Sequence, residues 1–360
     1  MNEIIMLGIE TSCDETAAAV VVNGRKVLSN VIASQVDIHR EHGGVVPEIA
    51  ARKHMESISY VVKDSLVRAN LSLSDIHGIA VSNGPGLVGA LLVGLSFAKS
   101  LAFARRIPLL GVHHIYSHIC ANYLDVEVSI DLQPSGCKQT CEPLMRAGDS
   151  EAGKTLEPPF ICLVVSGGHT HLVEVEDYNN CRVLGRTRDD AVGEAFDKVG
   201  RALGMPYPGG PEVDRLAKEG NPEAIHFPRT NFEGSLDFSF SGLKSAVLRY
   251  MQKSSNENIA DVAASFQQAA IDVLVSHTMK ACKQKDLTKV ALAGGVAANS
   301  ALRNAMVAAC RKYGLALKMP SAIYCTDNAA MVAGGGYYRY MAGIVSGYDL
   351  NAHPNMDIEQ

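Results

Sequence analysis

The sequence has no tryptophan, only 6% aromatic residues and no surplus of basic charge, its formal net charge being -5 at pH 7. Without a positive field of its own, the chain cannot hold a nucleic-acid backbone by bulk electrostatics, so any RNA contact must be local or shared with a partner. Uninterrupted apolar runs of about 18 residues are missing too, so no membrane span is expected. Glu3 precedes the first short apolar run with no basic segment ahead of it, so no signal peptide is expected either, and the location anticipated is cytoplasmic. Two nucleotide fingerprints are absent: G-x-G-x-x-G followed by an acidic ribose contact, and G-x-x-x-x-G-K-[ST]. Rossmann and P-loop sites are thereby set aside.

What is present is 360 residues with 47% hydrophobic content, long enough for two packed cores with a cleft. The nine cysteines are odd in number, scattered and mostly inside apolar runs, which fits a reducing compartment better than a disulfide framework. Ile4 to Glu10 reads as a buried strand, Thr11 to Thr16 as a polar turn, Ala17 to Val22 and Lys26 to Ala33 as strands. Phe160 to Val165, the small-residue turn Ser166 to Thr170, His171 to Val175 and Cys181 to Arg186 repeat that order. Two halves that open alike predict two similar lobes facing one another across a cleft.

Helices are expected over Pro47 to Asn70, Gly86 to Ala104 and Asn258 to Lys285, the last with Ile259, Val262, Phe266, Ala270, Val273 and His277 on one face. A strand at Val290 to Ala293, a tight turn at Gly294 to Ala298 and a helix from Asn299 to Lys312 ending at Gly314 follow. Asp125 to Pro159 breaks the order: it is polar, without sustained period, and reads as a surface insertion. Its Cys137 and Cys141 could bind metal or pair, but with no second cluster nearby they read as solvated loop thiols.

His114 and His118 stand four residues apart in V-H-H-I-Y-S-H-I, so a helix would set both imidazoles on one face within reach of one ion. Such a pair arises by chance ~0.4 times in a chain of this composition, so alone it is as consistent with two ordinary histidines. A zinc-protease helix, H-E-x-x-H, is excluded because Ile115 stands where the general-base glutamate would be. Asp327, at an expected helix start in C-T-D-N-A-A-M, is a candidate third ligand or an ordinary N-cap. Four glycine-rich turns, N-G-P-G-L-V-G, S-G-G-H-T, P-G-G-P and A-G-G-V-A-A-N, are expected to present backbone N–H groups to an anion. Asp197 and Asp214 lie near them, where ribose or hydroxyl contacts are expected.

The ordered strings G-I-E-T-S-C-D-E-T, H-G-G-V-V-P-E-I-A-A-R-K-H, G-P-G-L-V-G-A-L-L-V-G, H-H-I-Y-S-H, V-S-G-G-H-T, G-E-A-F-D-K, Y-P-G-G-P, F-S-F-S-G-L-K, A-G-G-V-A-A-N and T-D-N-A-A-M resemble the bacterial tRNA threonylcarbamoyltransferase family. The resemblance covers the chain except the insertion. It implies an α/β architecture of duplicated lobes like those of actin, Hsp70 and hexokinase, divided as residues 1–124 with 325–360, the insertion 125–159, and 160–324. It implies transfer of the threonylcarbamoyl group of L-threonylcarbamoyladenylate to N6 of the adenosine 3′ to the anticodon, position 37, in tRNAs reading codons that begin with A, with release of AMP.

By resemblance, His114, His118 and Asp327 are metal ligands and catalytic, for Fe(II) first and Zn(II) second. Val164, Val165, Ser166, Gly167, Gly168, Asp197, Gly210, Asp214 and Asn299 match adenylate-binding positions, and Glu15 matches an activity-related acid. The implied partners are tRNA, a paralogous inactive subunit and a small ATPase. The family usually has a shorter connector where residues 125–159 stand, so surfaces near that edge are the least transferable. A kinase of the same fold and a nucleotide-gated scaffold remain as competing functions; two histidines in the ligand set argue against the kinase, whose Mg(II) sits mainly on phosphates and carboxylates.

Overall fold

A computed structural model describes residues 3–125, 156–253 and 258–359. Most of the expected insertion, with Cys137 and Cys141, lies outside the described residues.

The first half builds β1 (Ile5–Glu10), β2 (Glu15–Val22), β3 (Lys26–Ser34), α1 (Val36–His42), α2 (Pro47–Arg68), β4 (Gly78–Gly84), α3 (Val88–Arg105), β5 (Leu109–His113) and α4 (His114–Cys120). The second half builds β6 (Phe160–Val165), β7 (Thr170–Val175), β8 (Cys181–Arg186), α5 (Val192–Ala202), α6 (Gly209–Ala217), α7 (Ser241–Lys253), α8 (Ile259–Lys285), β9 (Lys289–Ala293), α9 (Ser300–Tyr313), β10 (Ala316–Lys318), α10 (Ala322–Cys325) and α11 (Ala329–Met341). The two sheets run β3-β2-β1-β4-β5 and β8-β7-β6-β9-β10. In each, the first three strands pair antiparallel and the last two join in parallel. The repeated strand, loop, strand pattern is thus repeated topology.

Sequence length and composition lead one to expect two cores; the described residues form three apolar clusters. One packs β1, β2 and β4 beneath α2 and α3, through Leu7, Ile9, Val20, Ile58 and Leu95. Another packs the second sheet beneath α5 and α8, through Phe196, Phe238, Phe240 and Phe266. The third lies between the sheets, where α4 and α11 meet residues of both, among them Val21, Leu110, Phe160, Val164 and Ala293. Because each sheet carries helices on both faces, its central strands are continuously apolar rather than alternating. A Cβ on Gly8 of β1 would stand 2.2 Å from the Ala329 carbonyl, so only glycine lets the start of α11 lie this close to the sheet.

Helices α3 and α8 are long and apolar enough to cross a membrane by composition. In the fold α8 buries Val262, Phe266, Ala270 and Val273 in the second core, and α3 lays Leu95, Ala98 and Ala102 on the first sheet. Ile259, expected on the buried face of α8, is 42% exposed because it begins the helix at the surface.

Candidate metal centre and nucleotide cleft

Strand β5 ends at His113, whose Nδ1 accepts from the N–H groups of Ile115 and Tyr116 and so starts α4 as its N-cap. The helix that follows is entirely buried, and its four-residue spacing sets the rings of His114 and His118 with centroids 4.7 Å apart. Asp327 approaches from the loop between α10 and α11, its Oδ1 lying 3.6 Å from His114 Nε2 and 3.1 Å from His118 Nε2. Asp327 is not the N-cap of α11. Asn328 does that work: its side-chain oxygen accepts from Met331 N–H and its amide donates to the Thr326 carbonyl, which frees the neighbouring carboxylate to point at the histidines.

The donor set fits a divalent ion. One ligand atom from each of the three residues lies within 4.8 Å of the others. Both ring nitrogens of His118 are buried without a hydrogen-bond partner, close as Nε2 is to Asp327, so the distance is right and the direction is not that of a hydrogen bond. A buried imidazole nitrogen left so is costly, and an ion between Nε2 and the carboxylate would give that nitrogen and Asp327 a partner. His114 Nδ1 lies 3.1 Å from the Glu10 carboxylate, which can only accept when ionised, so Nδ1 carries the proton and Nε2 is left for the ion.

Glu10 escaped the sequence reading. It ends β1, is completely buried, and also receives the Ser82 hydroxyl and the Ser12 N–H, each at 2.5 Å. Its signal was an acid ending an otherwise apolar central strand, in the string G-I-E-T-S. Burial alone would raise its carboxyl, but the adjacent His114 holds it below its usual value. Burial likewise works against the charged ring of His114, and Asp327 with Glu10 overcomes it, raising His114 to about 9, while Asp327 falls to about 2. The surrounding carboxylates thus favour positive charge at His114.

His114 and Asp327 also line one wall of a cleft of about 750 Å³ between the lobes. On the same wall are Ser12 to Glu15 and the Pro85 to Leu87 turn; the opposite wall carries Ser166 to His169, Asp197, Tyr207, Gly210, Asp214 and Asn299. Glu15 is the first residue of β2 rather than part of the preceding turn. Its Oε1 accepts from Ser34 Oγ at 2.8 Å and its Oε2 is buried without a partner.

The four glycine turns differ more than their sequences do. In S-G-G-H-T the ends close on each other through Ser166 N–H to His169 O and His169 N–H to Ser166 Oγ. Within that turn, a Cβ on Gly167 or Gly168 would meet nothing within 4 Å, so neither packing nor backbone twist calls for glycine there and the open space is the cleft itself. The P-G-G-P turn is instead the first turn of α6, and Asp197 Oδ1 accepts from both Gly209 and Gly210 N–H at 2.8 and 3.2 Å. Those amides are bound to a carboxylate of the chain itself and are not free for an anion. In N-G-P-G-L-V-G, Gly86 N–H donates to Pro354 O and Leu87 N–H to Ser12 O, so two of its amides are committed as well.

Val164 and Val165 are fully buried in β6, one side chain in the shared layer and one in the second core, and only the loop after them reaches the cleft. Asp214 receives Ser300 N–H and Oγ–H at the start of α9. Asn299 is the N-cap of that helix, accepting from Leu302 N–H and donating to Gln267 Oε1. The structure therefore brings Glu15, His114, Asp327, Ser166, Gly167, Gly168, Asp197, Gly210, Asp214 and Asn299 to one cavity, sets His118 directly behind it, and keeps the two valines in the sheet.

Comparison with known proteins gives the following. A family model described as tRNA N6-adenosine threonylcarbamoyltransferase matches residues 26–136 and 139–334. A tRNA N6-adenosine threonylcarbamoyltransferase of Clostridium botulinum (strain 657 / Type Ba4) is 54% identical over 362 residues, covering 99% of this chain and 98% of that protein. One of Clostridium perfringens (strain SM101 / Type A) is 54% identical over 361 residues with the same coverage. Among solved structures, HypF of T. kodakarensis superposes with a TM-score of 0.60 at 14% identity over 97% of this chain and 49% of that one. Component A of Acidaminococcus fermentans (R)-2-hydroxyglutaryl-CoA dehydratase gives 0.51 at 14% identity, covering 94% of this chain and 99% of that one. These two likenesses speak for the fold alone, that of the actin, Hsp70 and hexokinase class.

Proposed function

The chain belongs to the tRNA N6-adenosine threonylcarbamoyltransferase family, and from that premise we propose how its cleft performs the transfer. The enzyme passes a threonylcarbamoyl group to N6 of an adenosine in tRNA, forming t6A. We take L-threonylcarbamoyladenylate as the donor, AMP as the product and position 37 of tRNAs reading codons that begin with A as the target.

The observation that carries this reading is His114 and Asp327 on one wall of the cleft, with His118 behind them, facing the open Gly167–Gly168 turn on the other. Adenylate phosphate lies against the free amides of that turn, and the Asp197 oxygen not engaged by α6 accepts from a ribose hydroxyl. Gly210, Asp214 and Asn299 shape the nucleoside end. A divalent ion held by the three ligands, Fe(II) first and Zn(II) second for this nitrogen-rich set, supplies Lewis-acid polarisation of a carbonyl or phosphate oxygen. As N6 attacks the carbamoyl carbon, the bond from that carbon to the phosphate oxygen breaks, AMP leaves with the electron pair, and the ionised Glu15 accepts the proton lost from N6. A carboxylate whose pKa is raised toward neutrality is a stronger base than an exposed one.

Residues 1–124 with 325–360 would act as the metal-bearing lobe and 160–324 as the adenylate-bearing one. A paralogous inactive subunit and a small ATPase complete the system, in the cytoplasm. The kinase and scaffold alternatives need no second imidazole beside the nucleotide. Incubation of the metal-loaded protein with L-threonylcarbamoyladenylate, tRNA and those two partners, followed by nucleoside analysis, tests the reading. The expected product is t6A with stoichiometric AMP; AMP without t6A would reduce the protein to a hydrolase and defeat the proposal.

A further inference from the structure

The string H-G-G-V-V-P-E-I-A-A-R-K-H ends in a histidine for which the transfer reaction has no evident use. His54 lies on α2 with no exposed surface, on the helix face that also buries Ile58, Val61 and Val62. A polar ring in such a place needs both nitrogens satisfied. Nε2 lies 3.0 Å from the Cys13 carbonyl, which can only accept, so Nε2 bears the hydrogen. The lone pair is then on Nδ1, and it accepts from the Thr16 hydroxyl at 2.7 Å. Burial lowers the pKa of the ring, which keeps it neutral and able to bond both ways.

Cys13 and Thr16 stand on either side of Asp14 and Glu15. The segment is also held by Gln35 N–H to Asp14 O at 3.1 Å and by the strand register that sets Glu15 opposite Ser34 and Thr16 opposite Ala33. Glu15 itself is held only through one oxygen, by Ser34. Where its carboxyl sits in the cleft therefore depends on where the backbone is fixed.

We propose that His54 is a positioning residue, clamping the backbone at Cys13 and Thr16 so that the Glu15 carboxyl is held against the reacting groups. This inference rests on the reading of Glu15 as the proton acceptor. Displacement of a catalytic group by about 1 Å can cost on the order of 100-fold in rate without touching ground-state binding.

The test uses the full-length, metal-loaded protein in the transfer assay, with kcat and KM for the adenylate, AMP affinity by calorimetry, metal content and thermal melting followed together. His54→Leu is expected to lower kcat by about 10-fold or more, with KM, AMP affinity and metal content within about 2-fold of wild type. His54→Gln, whose amide N–H can still reach the Cys13 carbonyl, should recover most of that loss. In the Glu15→Gln background, His54→Leu should have no further effect. A folded His54→Leu protein with wild-type kcat, a loss confined to KM, or His54→Gln no better than His54→Leu would overturn the clamp. Should His54→Leu fail to melt cooperatively, Thr16→Val carries the test, since it removes the other bond at constant shape: reduced kcat with a normal melt supports the clamp, and wild-type kcat overturns it. Glu15→Gln at wild-type kcat would instead remove the acid–base reading itself. A slow Glu15→Gln beside a wild-type His54→Leu removes only the positioning role.

Discussion

Glu15 is a cleft carboxylate whose charge is disfavoured where it stands. Burial, reinforced by Asp14 and Asp327, pushes its carboxyl up to about 8 against the opposing bond from Ser34. Two opposite pH dependences follow. Its proton stabilises the fold: the raised folded value means that this contribution is complete below the ordinary value of 4.5 and is lost as pH rises through about 8. With Glu15 as the proposed proton acceptor, transfer needs the ionised form, so kcat should rise with pH along a limb with its midpoint at or below about 8, lower still with a cation in the neighbouring site. Glu15→Gln should abolish that limb while making the protein less sensitive to alkaline melting. A pH profile of Glu15→Gln that keeps the wild-type limb would assign it to another group.

Behind His114, His118 and Asp327, Glu10 permits a graded comparison. Replacing both His114 and His118 by alanine should leave no measurable metal by elemental analysis, since one carboxylate is too few ligands. Glu10→Gln keeps all three ligands but removes the charge that fixes the His114 tautomer, and it should weaken metal binding about 10- to 100-fold. Equal metal content in wild type and the double histidine variant would show that the ion is held elsewhere.

At the scale of elements, the caps explain what was legible in the sequence. The helix expected from Asn299 to Lys312 on its glycine stop at Gly314, where φ is +66°, is Ser300–Tyr313, with Asn299 as its N-cap. Helix α8 is legible from its long period, and Asn258, expected as its first residue, is its N-cap. The start of α6 is not legible, because two glycines after a proline carry the signature of a turn, and they are held helical by Asp197, twelve residues away, through a tertiary bond no local pattern encodes. Asp327 shows the same limit: capping chemistry fits either it or Asn328, and only the positions of α4 and α11 decide between them.

Asn299 consequently has a different expected phenotype from a pure ligand contact. With its oxygen capping α9 and its amide on Gln267, Asn299→Ala should cost about 0.5 to 2 kcal/mol of stability as well as weaken AMP binding. Asn299→Asp retains the cap acceptor and should melt near wild type. Chemical denaturation of the two variants separates the roles, and an Asn299→Ala protein as stable as wild type would show that the cap is dispensable.

Over the whole molecule, the shared layer of α4 and α11 fixes how the lobes meet at the base of the cleft, while the mouth is crossed by little. Tyr178 and Tyr338 stack at 4.3 Å within the buried side of that layer, and Tyr116 of α4 donates to the Tyr178 carbonyl. At the opposite side, α1 and the glycines after it reach the second lobe by Arg40 Nε to Tyr207 O at 3.0 Å and by Arg201 to Gly43 O. Solvent-exposed bonds of this kind contribute about 0 to 1 kcal/mol, too little to hold the fold but enough to bias a lobe opening of comparable free energy. Arg40→Ala with Arg201→Ala should therefore leave the melting temperature within about 2 °C of wild type. The same double variant should release AMP several-fold faster in stopped-flow measurements and expose the amides of residues 35–46 to faster hydrogen exchange. An unchanged AMP off-rate together with unchanged exchange would mean that the mouth is held open or shut by the shared layer alone, and that the two arginines are surface contacts without a gating role.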